Sequence, residues 1–277
     1  MRVLVLSKYN DIWENFTRKN SFPSHAEVVL VRDPNGDIPP HPGEIIGIPP
    51  FIYARNVNLG LCDDNILLCN DDIEGLTAEG VNTLEHLMNQ NLKTAILAPQ
   101  VEGLVCCEEQ RVETKLPDGP PHVINHNVAF VCTLISGLIV RILGGLDERF
   151  IGYGYDDTDY CHRAFYAGFD IAITDKVKIK HKGSISFTRK YGNKLENESQ
   201  SNRRLFDAKW NVPIPIPSDW VYRNPVKDSN VSEHVRCGDN GSEGVRSTKR
   251  ADEDSNDPAR VDDARGRRAA NPGALLH

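Results

Sequence analysis

Residues 65–72 read NILLCNDD, a short apolar run that stops abruptly in one amide and two carboxylates. Similar apolar runs, each too short for a helix and flanked by turn-forming residues, recur at residues 3–6, 28–31 and 95–98. Between these candidate strands, residues 11–19 and 77–89 have a helical pattern, and Thr77 stands where the N-cap of the second helix is expected. Alternating strands and helices predict an α/β fold with a mainly parallel central sheet flanked by helices.

The carboxylates that end the 65–72 run favour a ligand site. In open α/β sheets, ligands bind in the crevice beyond the carboxyl ends of the strands, so Asp71 and Asp72 are expected to point into it. A hard cation held by one or two carboxylates together with ligand phosphates is the natural use of this position. The alternative is that both residues only begin a turn or cap the next element.

A second acidic cluster lies in residues 152–163, GYGYDDTDYCHR. Residues 157–167 have a helix-compatible pattern that ends at Gly168. Asp159 and Arg163 have the i,i+4 spacing of a helical ion pair, and acidic residues in a first turn are stabilised by the helix dipole. The ion pair and the dipole give these aspartates a structural role. The glycine- and tyrosine-rich residues before the helix, however, also leave room for a ligand. The dipole is expected to lower the carboxyl pKa and to keep the carboxylate ionised, as a general base requires.

A third feature is the alternating stretch KVKIKHKG at residues 176–183. In a strand, Val177, Ile179 and His181 lie on one face, so His181 follows the buried side while the lysines face solvent. A lone inward histidine is usually a core residue. At a strand end beside Asp72, however, a neutral imidazole would complete a metal site.

Composition and charge restrict the classes of partner. The chain has 277 residues and a formal net charge of -7, which disfavours nucleic acid and anionic membranes as partners. No run approaches the roughly 18 apolar residues of a membrane-spanning helix, so at most peripheral association with the inner face of a membrane is expected. The N-terminus, MRVLVLS, lacks a signal-peptide pattern and the seven cysteines form no CxxC pair. These features predict a cytoplasmic location and reduced thiols.

The C-terminal part of the chain differs in composition from the rest. The last aromatic residue is Tyr222, and beyond it charges of both signs mix with serine, asparagine and glycine. Such a segment buries too little apolar area to offset its ordering entropy. We therefore expect one domain at residues 1–225 and a disordered tail at residues 226–277.

Several segments in this order and spacing resemble the family-two glycosyltransferases of the GT-A fold, in a rhamnosyltransferase-like form, over about residues 1–210. The segments are LSKYN (6–10), VVLVRDPNGD (28–37), YARNVNLG (53–60), ILLCNDDI (66–73), ISGLIVRILGGLDERF (135–150), GYGYDDTDYCHRAFYAGF (152–169) and IKHKGSISF (179–187). The resemblance implies a nucleotide-sugar-binding half at residues 1–100 and an acceptor and catalytic half at residues 101–225. It also implies an inverting hexosyl- or deoxyhexosyl-transferase.

The resemblance implies a nucleotide-diphospho-sugar donor and assigns residues to it. Tyr9, Asn10 and Asp33 match positions that bind the nucleoside. Arg55 and Asn56 match the ARN element, which lies along the donor near its diphosphate.

The resemblance also implies a divalent cation, Mn²⁺ or Mg²⁺. Asn70, Asp71 and Asp72 stand where the family has its Asp-x-Asp motif, with Asn70 in place of the first aspartate. Asp72 matches the metal-binding aspartate, and His181 matches a histidine near the metal and the diphosphate. The cation would stabilise the charge that develops on the leaving diphosphate.

The catalytic positions follow from the same resemblance. Asp156 and Asp157 match the family's Glu-Asp pair, which makes Asp157 the candidate general base and Asp156 the reserve choice. Gly145 and Asp147 match the segment before the acceptor site, and Asp147 is alternatively a turn residue. Tyr153 is a further acceptor-side candidate, which either stacks on a sugar face or belongs to the core. The acceptor is expected to be a glycan, a lipid-linked molecule or a protein, and residues 100–135 are expected to determine its choice.

Two other classes of protein are considered. A nucleotidyltransferase usually has a glycine-rich basic loop after the first strand, whereas this chain has SKYNDIWENF there. A non-catalytic nucleotide-sugar or glycan-binding module of the same fold is compatible with Asn70 but not favoured by the retention of Asp72, Asp157 and His181.

Two further features have alternative interpretations. Tyr155 and Trp210 either stack on a sugar or belong to the core. The basic residues of 186–210, among them Arg189, Lys190 and Arg203, form either a lid over the diphosphate or a solvated helix face.

Overall fold

A computed structural model describes residues 1–124, 126–183 and 185–210, without the side chains of residues 187, 191, 193, 195 and 196. The expected disordered tail at residues 226–277 and the end of the expected domain, residues 211–225, lie outside the described residues.

The strands of the described part form one sheet. They are β1 (Arg2–Ser7), β2 (Glu27–Arg32), β3 (Ile45–Ile46), β4 (Ile66–Asn70), β5 (Ile73–Glu74), β6 (Thr94–Glu102), β7 (His122–Ile124), β8 (Cys132–Ile135) and β9 (Asp170–His181). All four of the apolar runs that predicted strands lie in this sheet, in β1, β2, β4 and β6. The short strands β3, β5 and β7 had no sequence signal.

The helices are α1 (Asn10–Lys19), α2 (Tyr53–Gly60), α3 (Ala78–Gln90), α4 (Gly137–Leu143), α5 (Asp156–Tyr166), α6 (Ile185–Tyr191) and α7 (Leu195–Trp210). The predicted helices at 11–19, 77–89 and 157–167 match α1, α3 and α5 within one residue at each end. Thr77 is the N-cap of α3, where its side chain accepts a hydrogen bond from the Gly80 N–H at 3.0 Å. Gly168 has a φ of 86° just beyond α5, a left-handed conformation that favours glycine at a helix end.

The sheet has the strand order β3-β2-β1-β4-β8-β6-β9-β5, and β7 pairs with β9. Pairing is parallel among β3, β2, β1 and β4 and between β6 and β9, while β8 is antiparallel to both β4 and β6. Six of the nine described strands therefore run in one direction, as the sequence predicted, and β5, β7 and β8 run against them. The carboxyl ends of β1, β2, β4, β6 and β9 consequently meet at the same edge of the sheet.

A hydrophobic core lies on each face of the sheet because successive strand residues point to opposite sides. In β1, Val3 and Val5 pack with α1 and α3, whereas Leu4 and Leu6 pack with α2, α4 and α5. Two packed layers of helices therefore hold the strand ends in place.

Helix α7 packs on α5 through an ionic and an aromatic contact. Asp159, fully buried, forms the predicted ion pair with Arg163 at 3.0 Å and also accepts a hydrogen bond from the Trp210 Nε1–H at 2.9 Å. Lys209 Nζ lies 2.7 Å from the same carboxylate. The ring of Trp210 stacks on Tyr166 and lies beside a small cluster that contains Tyr155. Tyr155, which packs against Phe206, and the half-buried Trp210 thus both take part in the α5–α7 contact.

Six cysteine thiols in the described residues are free, in agreement with the prediction of reduced cysteines. Within the same residues, none of the helices has the length and apolar character needed to cross a membrane.

Candidate active site

A pocket of about 590 Å³ opens at the carboxyl ends of β1, β2 and β4. Parallel register places these ends side by side, with Ser7 opposite Arg32 and Leu6 opposite Asn70. We call this cavity the strand-end pocket. Its lining includes Ser7, Lys8, Tyr9, Asp33, Asp71 and Asp72.

Asp33 and Tyr9 form one end of the strand-end pocket. Asp33 is buried at the end of β2, where it accepts a hydrogen bond from the Asn35 N–H at 2.9 Å and lies 3.5 Å from Lys8 Nζ. The Arg189 guanidinium lies 5.1 Å from the centroid of the Tyr9 ring. A carboxylate, an ammonium group and an aromatic ring thus occupy the predicted nucleoside position.

Asp71 connects the strand ends to α6. Its carboxylate accepts hydrogen bonds from Ser7 Oγ at 2.6 Å and from Ser186 Oγ at 2.9 Å. Burial and the charge of Asp72 raise the pKa of Asp71 to about 7, although the two hydroxyl groups lower it. Asp71 is therefore a buried carboxyl group in the floor of the pocket, held by hydrogen bonds from two hydroxyl groups.

Asp72 and His181 meet in the same pocket region because β5 pairs with the end of β9, with Ile73 opposite His181. His181 Nε2 lies 3.1 Å from Asp72 Oδ1, and Asp72 Oδ2 accepts a hydrogen bond from the Ile185 N–H at 2.8 Å. Burial raises the Asp72 pKa, but His181 and the Ile185 N–H outweigh burial and the pKa is lowered overall. Asp72 is consequently ionised at neutral pH.

The Asp72–His181 pair fits a divalent cation. Among the described residues, Asp72 Oδ1 is a buried oxygen without a hydrogen-bond partner, because its contact with His181 is not aligned as a hydrogen bond. A carboxylate oxygen and an imidazole nitrogen are both good ligands for Mn²⁺. No group of three or more His, Cys, Asp or Glu side chains able to hold a metal occurs in the described part of the chain. Phosphate oxygens of a ligand and water would therefore supply the remaining positions.

A second cavity, of about 1020 Å³ including its open mouth, adjoins the first. We call it the α5 pocket. Its walls are residues 103–107, 129–131 and 152–157, with Asn127, His181 and Ser199. Tyr53 and Asn70 line both cavities, so the strand-end pocket and the α5 pocket are neighbours, and we call the two together the cleft.

Asp156 and Asp157 lie in the wall of the α5 pocket, in the first turn of α5. Burial and the neighbouring Asp157 charge raise the pKa of Asp156 to about 7. Burial also raises the pKa of Asp157, even though its carboxylate accepts hydrogen bonds from the backbone of Thr158 and Phe130. The expected lowering of the pKa by the helix dipole is therefore wrong, since burial, together with the Asp157 charge in the case of Asp156, outweighs the dipole. A carboxyl group whose pKa is raised is a better proton acceptor than the sequence suggested.

Three predicted donor residues lie outside the lining of both pockets. Asn10 begins α1 and donates its side-chain N–H to Glu14. Arg55 forms an ion pair with Glu148 at 3.3 Å. Asn56 is completely buried, accepts a hydrogen bond from the Ile48 N–H at 2.7 Å and donates one to the Ile52 carbonyl at 2.7 Å.

The predicted acceptor residues divide in the same way. Tyr153 lines the α5 pocket. Gly145 and Asp147 lie outside its lining: Gly145 accepts a hydrogen bond from Arg163 through its carbonyl, and Asp147 pairs with Arg149 and Lys209. Arg149 and Lys209 hold the pKa of Asp147 well below its usual range.

The basic residues of α6 and α7 also have different surroundings. Lys190 lines the strand-end pocket and donates to the Phe51 carbonyl at 2.7 Å. Arg189 pairs with Asp11 of α1, whereas Arg203 pairs with Asp207 along α7. Of these three residues, Lys190 is the one that lines the strand-end pocket.

Sequence reasoning missed Tyr53, which begins α2 and lines both pockets. Burial, Asp156 and Asp157 raise the Tyr53 pKa well above its usual value, so its hydroxyl group is neutral beside the carboxylates. Lys8 and Ser186 were also missed. The only sequence signal for Lys8 was its place directly after a predicted strand.

Comparison with known proteins gives a fold but no close relative. No protein-family model and no curated protein matches the chain. Solved structures do match. The chain is similar to S. aureus TarS 1-349, with a TM-score of 0.51 and 12% identity, over 77% of this chain and 66% of that one.

Two other solved structures match to the same degree. One is the mannosyltransferase PcManGT from Pyrobaculum calidifontis in complex with GDP-Man and Mn²⁺, with a TM-score of 0.51 and 10% identity over 76% of this chain and 63% of that one. The other is GalNAc-T7 with UDP, GalNAc and Mn²⁺, with a TM-score of 0.51 and 12% identity over 76% of this chain and 50% of that one.

The chain has the GT-A fold that the resemblance predicted, with a central mixed α/β sheet flanked by helices. It spans between half and two thirds of the length of these three structures. Identities of 10–12% establish the fold and leave the activity to be argued from the residues of the cleft.

Proposed function

We propose that this chain is an inverting glycosyltransferase that moves a sugar from a nucleotide-diphospho-sugar to an acceptor hydroxyl group. The observation that carries the proposal is that two pockets with different chemistry lie side by side. The strand-end pocket holds Lys8, Lys190 and Asp72, and the α5 pocket holds His181, Asp156 and Asp157. Groups suited to an anionic leaving group and groups suited to proton removal thus lie in adjacent pockets.

The donor is assigned to the strand-end pocket. Asp33 is placed to accept hydrogen bonds from the base or ribose, and the Tyr9 ring offers a face for stacking. Lys8 and Lys190 supply positive charge for the diphosphate. PcManGT and GalNAc-T7 are described with GDP-Man or UDP and with Mn²⁺, which supports a nucleotide sugar and a divalent cation for this chain as well.

Asp72 and His181 are proposed to hold Mn²⁺ or Mg²⁺. When bound, the cation would neutralise charge on the departing nucleoside diphosphate. Asn70, at the junction of the two pockets, is placed to hydrogen-bond the donor through its neutral amide. Asp71 is proposed to fix the pocket floor through Ser7 and Ser186 rather than to bind the cation.

Asp157 is proposed as the general base. It removes the proton from the acceptor hydroxyl group while that oxygen forms a bond to the anomeric carbon and the bond from this carbon to the diphosphate oxygen breaks. A single displacement of this kind inverts the anomeric centre. Asp156, with a pKa of about 7, is placed to hydrogen-bond an acceptor or donor hydroxyl group. Tyr153 lies on the acceptor side.

A panel of nucleotide sugars tests the proposal. Release of nucleoside diphosphate is measured with Mn²⁺, with Mg²⁺ and with a chelator, and the anomeric configuration of any product is read by NMR. Metal-dependent release from one donor, with inversion in the product, is the expected result and identifies the transferred hexose or deoxyhexose. Binding without release, even with glycan, lipid-linked and protein acceptors present, would instead identify a non-catalytic module. A retained anomeric configuration would overturn the single displacement.

A further inference from the structure

We infer that the acceptor is a sugar without anionic groups, bound in the α5 pocket with its reacting hydroxyl group towards Asp157. This inference rests on the proposed function and specifies the substrate class of the same site. It follows from the distribution of charge and apolar surface between the two halves of the cleft.

The two pockets differ in their cationic side chains. The strand-end pocket has two lysines, Lys8 and Lys190, beside its three aspartates. The described wall of the α5 pocket has the acidic side chains of Asp156 and Asp157 and the imidazole of His181, and it contains no lysine or arginine. Arg163 and Lys209, which lie near α5, are held by Asp159 on the side of the helix that faces α7. An anionic ligand is therefore favoured in the first pocket and disfavoured in the second.

The rest of the α5 pocket wall is largely apolar. Leu104, Val105, Ala129, Phe130 and Val131 form one side of it, and the 152–155 turn with Tyr153 forms another. An anion placed here would lose hydration without gaining a counterion. The pocket already acts in this way on its own carboxyl groups, because burial raises the pKa of both Asp156 and Asp157.

The same wall suits a neutral sugar. A pyranose ring has an apolar C–H face, and aromatic and aliphatic side chains such as Tyr153 and Val105 provide a matching surface. Its hydroxyl groups need hydrogen-bond partners. Asn70, Asn127 and Ser199 provide amide and hydroxyl groups in the lining. A polar ligand with one apolar face and no anionic group fits these walls.

Acceptors that differ in a single group test the inference. A methyl hexoside is compared with its uronic acid, in which a carboxylate replaces the primary alcohol. The donor found with the panel above is kept constant, and acceptor-stimulated release of nucleoside diphosphate gives kcat/KM. We expect the neutral glycoside to exceed the uronic acid at least tenfold. Equal or better use of the uronic acid would overturn the inference.

A direct binding measurement separates this inference from the proposed function. Saturation-transfer NMR reports binding of the same two glycosides to the full chain without turnover. If no nucleotide sugar is hydrolysed or transferred, the proposed function fails, whereas preferential binding of the neutral glycoside would still support a ligand without anionic groups. Preferential binding of the uronic acid would contradict the inference.

A charge introduced into the wall provides the second test. Val105 is half-buried in the α5 pocket, so Val105→Lys places a cation where the wall is apolar. We expect this variant to improve binding of the uronic acid relative to the neutral glycoside at least fivefold. Val123→Lys, on exposed β7 outside the lining, is the matched control and should leave the ratio unchanged. An unchanged ratio in Val105→Lys would show that the ligand binds elsewhere.

Discussion

His181 Nε2 lies 3.1 Å from Asp72 Oδ1, at the point where β9 ends beside β5. The two residues are far apart in the sequence, and the antiparallel pairing of β5 with β9 brings them together. The Asp72 oxygen that faces the imidazole is buried and has no hydrogen-bond partner among the described residues. Two potential ligands of a divalent cation are therefore already adjacent in the folded chain.

His181→Ala is expected to weaken binding of Mn²⁺ in the presence of nucleoside diphosphate by at least about tenfold, because one of two protein ligands is lost. Isothermal titration calorimetry measures this affinity directly. His25→Ala is the control, since His25 is an exposed imidazole that pairs with Glu85 far from the cleft. Unchanged Mn²⁺ affinity in His181→Ala would assign His181 to the core.

Asp157→Asn is expected to lower kcat about 10²- to 10⁴-fold while donor affinity stays unchanged, because an amide cannot accept the proton in the transition state. Turnover is measured as nucleoside diphosphate release, and donor affinity by calorimetry. Asp175→Asn, an exposed carboxylate on β9, is the matched control. A larger loss in Asp156→Asn than in Asp157→Asn would transfer the role of base to Asp156.

The pH dependence of the protein's stability should report the protonation of the Asp156 carboxyl group, without any measurement of activity. Its pKa is raised to about 7 in the folded protein, against about 3.9 in an unfolded chain. Between these two pH values the folded state binds a proton that the unfolded state has lost. The stabilisation that this proton contributes to the folded state is complete below about pH 4 and is lost as the pH rises through 7. It amounts to about 1.4 kcal/mol for each unit by which the pKa values of the folded and unfolded states differ.

Asp156→Asn removes this titration. We expect the free energy of unfolding of the variant, relative to the native sequence, to rise as the pH is increased from about 4 to about 8. Urea unfolding at several pH values gives this difference. A flat difference in Asp156→Asn would show that its pKa in the folded state is not raised.

Local rules of the sequence predict much of this fold, and their limits are physical. The four apolar runs and the Thr77 N-cap are local signals, and each corresponds to an element of the structure. The position of β8 between β4 and β6, antiparallel to both, depends on pairing between distant segments. Strands of two or three residues such as β3 carry too few side chains for a period-two pattern. The strand order and the short strands therefore could not be predicted from the sequence and are known only from the structure.

The residues of the cleft also divide into those that the sequence identified and those that it missed. Asp71, Asp72 and the α5 aspartates were found because they follow a strand end or open a helix, positions at which carboxylates face a crevice. Tyr53 was missed because a tyrosine at the start of a helix resembles an ordinary core residue. The pKa of Asp156 was misjudged because burial depends on tertiary packing, which a sequence pattern does not report.

Asn56 and Arg55 provide a last test, because the resemblance placed both along the donor while the structure places both outside the pocket lining. Asn56 is fully buried and bonded to the backbone of Ile48 and Ile52. Asn56→Ala should therefore lower the free energy of unfolding by about 2–3 kcal/mol, since buried backbone groups lose their partner. Arg55→Ala breaks an exposed pair with Glu148 and should cost less than about 1 kcal/mol. Urea unfolding measures both. Undiminished stability in Asn56→Ala, together with weaker donor binding, would show instead that its amide contacts the donor.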